Sequence, residues 1–323
     1  MRSFSKLWKI MTTVFFACAF NNQTSGGEAV AVRMFQENRA CAALPCKQAE
    51  HAIVFVHGLT GSRETWQHAN QTYWPKLISD DDKMSEFDVF RIDYDSFARG
   101  ESPDVDAIDD LFYDQLKRLV DYKSITFIAH SLGGLIVQRY LQHVNNLDTH
   151  IMLNKYRIVI LLGTPSEGSD LARYAEWLSK NPTLRILKDY KGNDYLKLLG
   201  KQMWYTMQKH DITGCSSLRF FAAYEGLDTG PIRVVQKSSA TARAFACKKF
   251  ERDHIALAKP SSGDDVLYTS VRDLLRACIA GREAVCPKPK ENSTCGQSNH
   301  PLEDASLQLS CNYGTWDQVL IAR

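Results

Sequence analysis

A chain of 323 residues is long enough for one large α/β domain with appendages, and its apolar content is that of an ordinary globular protein. Lys and Arg number 39 against 37 Asp and Glu, so charge gives no reason to expect a nucleic acid or an acidic polymer as partner. No internal repeat or coiled-coil heptad is present.

The start of the chain has the form of a targeting segment. Arg2, Lys6 and Lys9 are basic, Ile10 to Phe20 is mostly apolar, and Ala17-Cys18-Ala19 supplies small residues for cleavage. Residues 1–19 are therefore expected to be a secretory signal peptide, giving a secreted or periplasmic protein. Cys18 offers the alternative of a lipoprotein site that would hold the protein at a membrane. Losing Cys18 with the signal leaves eight cysteines, which allow about 105 connectivities. Neighbourhood favours Cys41–Cys46, Cys215–Cys247, Cys278–Cys286 and Cys295–Cys311. No Cys/His cluster has zinc spacing, and an oxidising compartment is the better reading.

Residues 20–50 read as a polar N-terminal extension. The main domain is expected over 51–280, beginning with the apolar run His51-Ala52-Ile53-Val54-Phe55-Val56, which suits a strand covered on both faces. A glycine-bearing loop, His57-Gly58-Leu59-Thr60-Gly61, follows it. Phe87 to Tyr94 reads as the next strand, and Val105 to Val120 as an amphipathic helix. Ile125 to Ala129 is a strand, followed at helical spacing by Leu135, Ile136, Val137, Tyr140 and Leu141. Between them a turn places Ser131 at its apex, with Ala129 and Gly133 two positions to either side. This is the strand–turn–helix setting of a nucleophile elbow, in which bulk at the flanking positions would collide with neighbouring elements. Glycine is the expected residue two before the serine, and Ala129 departs from it by one methyl group.

Tyr156 to Leu162 and Leu218 to Ala223 are further strands, Ile232 to Val235 is another candidate, and Val266 to Cys278 is a closing helix. Alternation of this kind indicates a doubly wound, mostly parallel α/β sheet. Residues 166–217 form an expected helical, lid-like insertion rich in large apolar side chains such as Trp177 and Trp204. Residues 281–323 read as a cysteine-rich C-terminal appendage.

A serine hydroxyl becomes a useful nucleophile when an imidazole removes its proton and a carboxylate orients that imidazole. In sheet enzymes with such an elbow the chain order is Ser, acid, His. His254, in a loop before the closing helix, is the candidate base. Glu225 and Asp228, in the loop after the Leu218–Ala223 strand, are both candidates for the acid, and spacing alone does not choose. The oxyanion needs two preorganised amides; Leu132 and Leu59 are the expected donors. His57 and His130 flank the site in positions suited to structural hydrogen bonding.

Taken together, Val56-His57-Gly58-Leu59-Thr60-Gly61, Ala129-His130-Ser131-Leu132-Gly133-Gly134, Leu162-Gly163-Thr164-Pro165-Ser166-Glu167-Gly168-Ser169, Tyr224-Glu225 with Lys237-Ser238-Ser239-Ala240, and Asp253-His254 resemble the lipase-like serine esterases of the α/β-hydrolase superfamily. The likeness is strongest to the serine esterase group that includes GPI inositol-deacylase-like proteins. It implies an α/β-hydrolase fold, ester hydrolysis without metal or organic cofactor, and Glu225 as the acid, with Asp228 in reserve. The expected substrate is a small-molecule or lipid ester, with transient contact to a membrane surface and no nucleic acid. A thioesterase or acyltransferase would use the same residues. A binding protein on the same scaffold would take no covalent fluorophosphonate label.

Overall fold

The parallel strands are made by residues whose side chains alternate between two buried faces. In β2 (His51–Val56), Ile53 and Phe55 enter one core while Ala52, Val54 and Val56 enter the other, and all five are fully buried. β4 (Ser124–His130) and β5 (Tyr156–Leu162) follow the same rule, which is why they read as continuous apolar runs rather than as alternating ones. The structure, a computed structural model, describes residues 32–38, 45, 47–58, 61–94, 105–146, 150–166, 218–242, 244–281, 285–286, 311 and 314–321.

With β1 (Val32–Gln36), β3 (Phe87–Tyr94), β6 (Arg219–Glu225) and β7 (Ala246–Phe250), these strands form a seven-stranded sheet in the order β1-β3-β2-β4-β5-β6-β7. Every neighbouring pair is parallel except β1 with β3. The described helices are α1 (Trp74–Asp80), α2 (Val105–Leu116), α3 (Leu132–Asn146), α4 (His150–Leu153), α5 (Lys237–Thr241), α6 (Val266–Ile279) and α7 (Trp316–Ile321). α2 and α3 cover one face through Phe112, Leu116, Val137, Tyr140 and Leu141. On the other face Trp74, Leu267, Val271, Leu274 and Trp316 pack against Phe55, Ile160 and Phe221. Among the described residues, no helix is long and apolar enough to cross a membrane.

The expected fold class is the observed one, with differences at the margins. β1 lies in the segment read as an unpatterned extension; only Val32 and Met34 turn inward, so an edge strand of this kind carries half the apolar signal. β7 carries Lys248 and Lys249 and was likewise not legible as a strand. Residues 232–235, the extra strand candidate, contribute one bridge between Ile232 and Thr229 instead. Part of the C-terminal segment packs against the sheet. Trp316 is fully buried between Phe221 and Phe250, and its indole N–H donates to the Ala246 carbonyl at 3.2 Å.

Two cysteine pairings are corrected. Cys247 is bonded to Cys311, 64 residues away, so neither Cys215–Cys247 nor Cys295–Cys311 forms. Proximity in sequence failed here because α7 returns the chain to the edge of β7, where Cys247 N–H donates to the Gly314 carbonyl. Cys278–Cys286 is present as expected. Cys41, Cys46, Cys215 and Cys295, residues 1–19 and all but the first residue of the 166–217 insertion lie outside the described residues.

Candidate active site

Ser131 stands where β4 gives way to α3, in the left-handed backbone region at φ +56°. Such a conformation costs a non-glycine residue on the order of 1 kcal/mol or more, so the surroundings must impose it. They do so by close approach. A Cβ on Gly133 would run into the Val56 and His57 carbonyls, and one on Gly58 would come 2.9 Å from the Ser131 Cβ. The Ser131 N–H donates to the Leu162 carbonyl at 2.9 Å, tying the bend to β5. Ala129 is accommodated inside the sheet, fully buried between Val56 and Leu161.

His254 lies in the loop between β7 and α6, and Glu225 is the last residue of β6. The Ser131 Oγ is 3.0 Å from His254 Nε2, and His254 Nδ1 is 2.7 Å from Glu225 Oε1. All three residues are buried. Glu225 is fixed independently of the imidazole, since its carboxylate accepts from the Val235 N–H at 3.2 Å and the Val234 N–H at 3.3 Å. These two amides were invisible to sequence reasoning because main-chain donors leave no side-chain signal. Burial pushes the Glu225 carboxyl up to about 7, against the pull of those N–H groups and of Arg233. Burial pushes the His254 imidazole down to about 4, which favours the neutral ring. A neutral ring donating through Nδ1 to Glu225 presents an acceptor Nε2 to the serine hydroxyl.

Asp228, the reserve acid, is directed elsewhere. Half-exposed, it accepts from Arg233 Nε at 2.7 Å, and the same guanidinium donates to the Glu225 carbonyl at 2.6 Å and the Gly226 carbonyl at 3.2 Å. Asp253 accepts from the Ala256 N–H at 2.8 Å. The His254 main-chain N–H donates to Thr229 Oγ1 at 3.0 Å, so a threonine that carries no sequence signal of its own also holds His254 in place.

The two flanking histidines have defined partners. His130 Nε2 lies 2.9 Å from the His254 carbonyl and must donate to it. Burial, with the neighbouring His254 adding, pushes His130 down to about 3. His57 Nδ1 donates to the Gly58 carbonyl at 2.7 Å, while its Nε2 accepts from the Tyr94 N–H at 3.3 Å. The Tyr94 hydroxyl donates to the His57 carbonyl at 2.6 Å, and the two rings stack at 4.3 Å. The loop leaving β2 is therefore held rigidly up to Gly58; Leu59 lies outside the described residues. Leu132 opens α3, where the first amides of a helix have no intrahelical acceptor and face the serine end. Among the described residues, no three His, Cys, Asp or Glu side chains converge so as to hold a metal ion.

By sequence the chain is similar to protein SERAC1 of Homo sapiens, 22% identical over 255 residues that cover 71% of this chain and 39% of that protein. Protein SERAC1 of Mus musculus is 24% identical over 251 residues, 67% of this chain and 37% of that one. The chain thus spans about two fifths of the length of these relatives. By structure it is similar to the mature lipase BlEst2 of Bacillus licheniformis (19% identity, TM-score 0.44, 70% of this chain and 92% of that chain). A monoacylglycerol lipase of Paleococcus ferrophilus gives 17% identity and a TM-score of 0.41, covering 77% of this chain and 99% of that one. The model of the alpha/beta hydrolase family matches residues 53–281, the stretch that carries Ser131, Glu225 and His254, and the chain belongs to that family.

Proposed function

We propose that the protein is an exported serine hydrolase that cleaves carboxylic esters, of the lipid or fatty-acyl kind, through an acyl-enzyme. The reading rests on the hydrogen-bonded run from Ser131 Oγ through His254 to Glu225, with spans of 3.0 and 2.7 Å. His254 takes the hydroxyl proton through Nε2 as Ser131 Oγ attacks the acyl carbonyl. The imidazolium so formed is stabilised by Glu225, and it returns the proton to the departing alcohol. Water, activated by the same imidazole, then releases the acid and frees the serine. The amides of Leu132 and Leu59 are the donors assigned to the oxyanion, a contribution of about 3–4 kcal/mol per donor in well-studied cases. The chemistry requires no metal or organic cofactor. A lipid-like acyl group is favoured by the apolar side chains beside the acid and the base, since Leu227 is 50% and Ile255 44% exposed. Export is favoured by the basic–apolar start of the chain and by the two disulfides.

The deciding variant is Ser131→Ala. It should lose turnover of p-nitrophenyl esters by about four orders of magnitude or more and take no fluorophosphonate label. Activity or labelling retained in that variant rejects the assignment.

A further inference from the structure

The imidazole of His254 must satisfy two partners at once, yet it is carried by residues 251–265, a loop whose only regular element is the short turn Ala256–Ala258. Loops of this kind drift unless they are tied down, and a displacement of about 1 Å at a reacting group can cost on the order of 100-fold in rate. Arg252, two residues before the base, is bonded in three directions. Its Nη1 donates to the carbonyls of Ala256 at 3.2 Å and Lys259 at 3.1 Å, spanning the turn that follows His254. Its Nη2 pairs with the carboxylate of Asp265, whose side chain is 1% exposed. Its own carbonyl accepts from the N–H groups of Gly226 and Leu227, both at 3.1 Å, the two residues immediately after Glu225.

Asp265 is an anchor with several lines attached. One oxygen accepts from the Leu267 N–H at 2.9 Å, capping the start of α6. The other accepts from the Ser261 N–H at 2.7 Å and the Ser261 hydroxyl at 2.9 Å, besides Arg252. The Ser261 carbonyl in turn accepts from Asn70 Nδ2 and Thr72 Oγ1, both at 2.9 Å, which reach across from the segment before α1.

We propose that Arg252 and Asp265 are positioning residues: together they lock the loop that bears His254 to the loop that follows Glu225 and to the start of α6, and so set the base between the acid and Ser131. Neither side chain touches the three proposed catalytic groups: Arg252 acts through the carbonyls of Ala256 and Lys259, Asp265 acts through Arg252, Ser261 and Leu267, and the main-chain carbonyl of Arg252 carries the link to residues 226–227. This rests on the Ser131–His254–Glu225 reading and gives that site its source of preorganisation.

The test is Arg252→Met, assayed with a p-nitrophenyl ester, with kcat expressed per active site titrated by a fluorophosphonate. The expected result is a folded protein in which every site still labels, more slowly, and kcat per titrated site falls about 10- to 100-fold with KM within about twofold. Asp265→Asn should give the same signature. A merely structural role would lower the thermal midpoint or the titrated fraction while leaving kcat per site at the wild-type value, and that result overturns the proposal. Should Arg252→Met fail to fold, Arg252→Lys decides, because an ammonium keeps the charge beside Asp265 but cannot span both carbonyls and the carboxylate. Wild-type kcat in a folded Arg252→Lys protein also overturns it, and an intermediate loss supports it. Failure of the parent reading looks different: the wild type takes no label, or Ser131→Ala is labelled, and the clamp falls with it.

Discussion

Glu225 and Asp228 are three positions apart in the chain, and at the residue scale what separates them is direction. Glu225 ends a strand and accepts two main-chain N–H groups in a buried setting, with the imidazole as its third partner. Asp228 meets Arg233 at the surface, so its influence on the site runs through the guanidinium that also bonds the Glu225 carbonyl. Glu225→Ala should therefore lower kcat by about 100- to 10,000-fold, the range expected when an orienting carboxylate is lost. Asp228→Ala should cost less than about tenfold, since surface pairs of this kind contribute about 1 kcal/mol or less. Steady-state kinetics of the two variants side by side check the assignment. The larger loss in Asp228→Ala would transfer the role of acid to that residue.

Elements decide how the residues are delivered. β4, β6 and β7 lie in one parallel register, so their C-terminal ends present Ser131, Glu225 and the loop of His254 along one rim of the sheet. β7 is held in place from outside by Cys311 and residues 314–321, through the Cys247–Cys311 bridge and through Trp316, which fills the space between Phe221 and Phe250. Truncating a fully buried indole of this kind costs about 3–5 kcal/mol. Trp316→Ala should therefore lower the urea midpoint by that equivalent, and an unchanged midpoint would show that the C-terminal segment is dispensable to the core. Before the structure, the strongly apolar elements were legible and β1, β7 and α7 were not. Each of these three is short and one-sided and carries charged or polar residues, so period and composition give little to detect.

For the whole molecule, the buried histidines set how stability varies with pH. A histidine whose pKa is depressed in the fold stays neutral there while the unfolded chain takes up a proton below about 6.5. The unfolded state then binds more protons, so stability rises with pH across the window and is lost as pH falls from about 6.5 toward the folded value. His130, held near 3, and His57, also lowered by burial, both act in this sense. His254 does too, but Glu225, raised to about 7, gives up its proton later in the fold than in the unfolded chain and offsets it over the same range. The net expectation is a loss on the order of 2 kcal/mol from His130 alone between pH 7 and pH 5. Urea unfolding at the two pH values, with His130→Gln alongside the wild type, checks this. A wild type equally stable at both, or a variant with the same pH slope, contradicts it.

The amino-acid sequence by itself determined the fold class, because long apolar runs separated by helical periodicities have few ways to bury both faces of a sheet. It also singled out Ser131 and His254 and narrowed the acid to two residues, because a sharp bend between strand and helix and the chain order of the partners leave a local signature. The family resemblance already favoured Glu225 over Asp228; only the tertiary structure showed which amides hold that carboxylate and that Cys247 pairs with Cys311. Each of these depends on the path of a loop or on main-chain groups, and neither contributes a pattern to the residues that carry it. The clamp of Arg252 and Asp265 belongs with them: two charged residues thirteen positions apart look like ordinary surface residues until the loop folds back and buries one against the other.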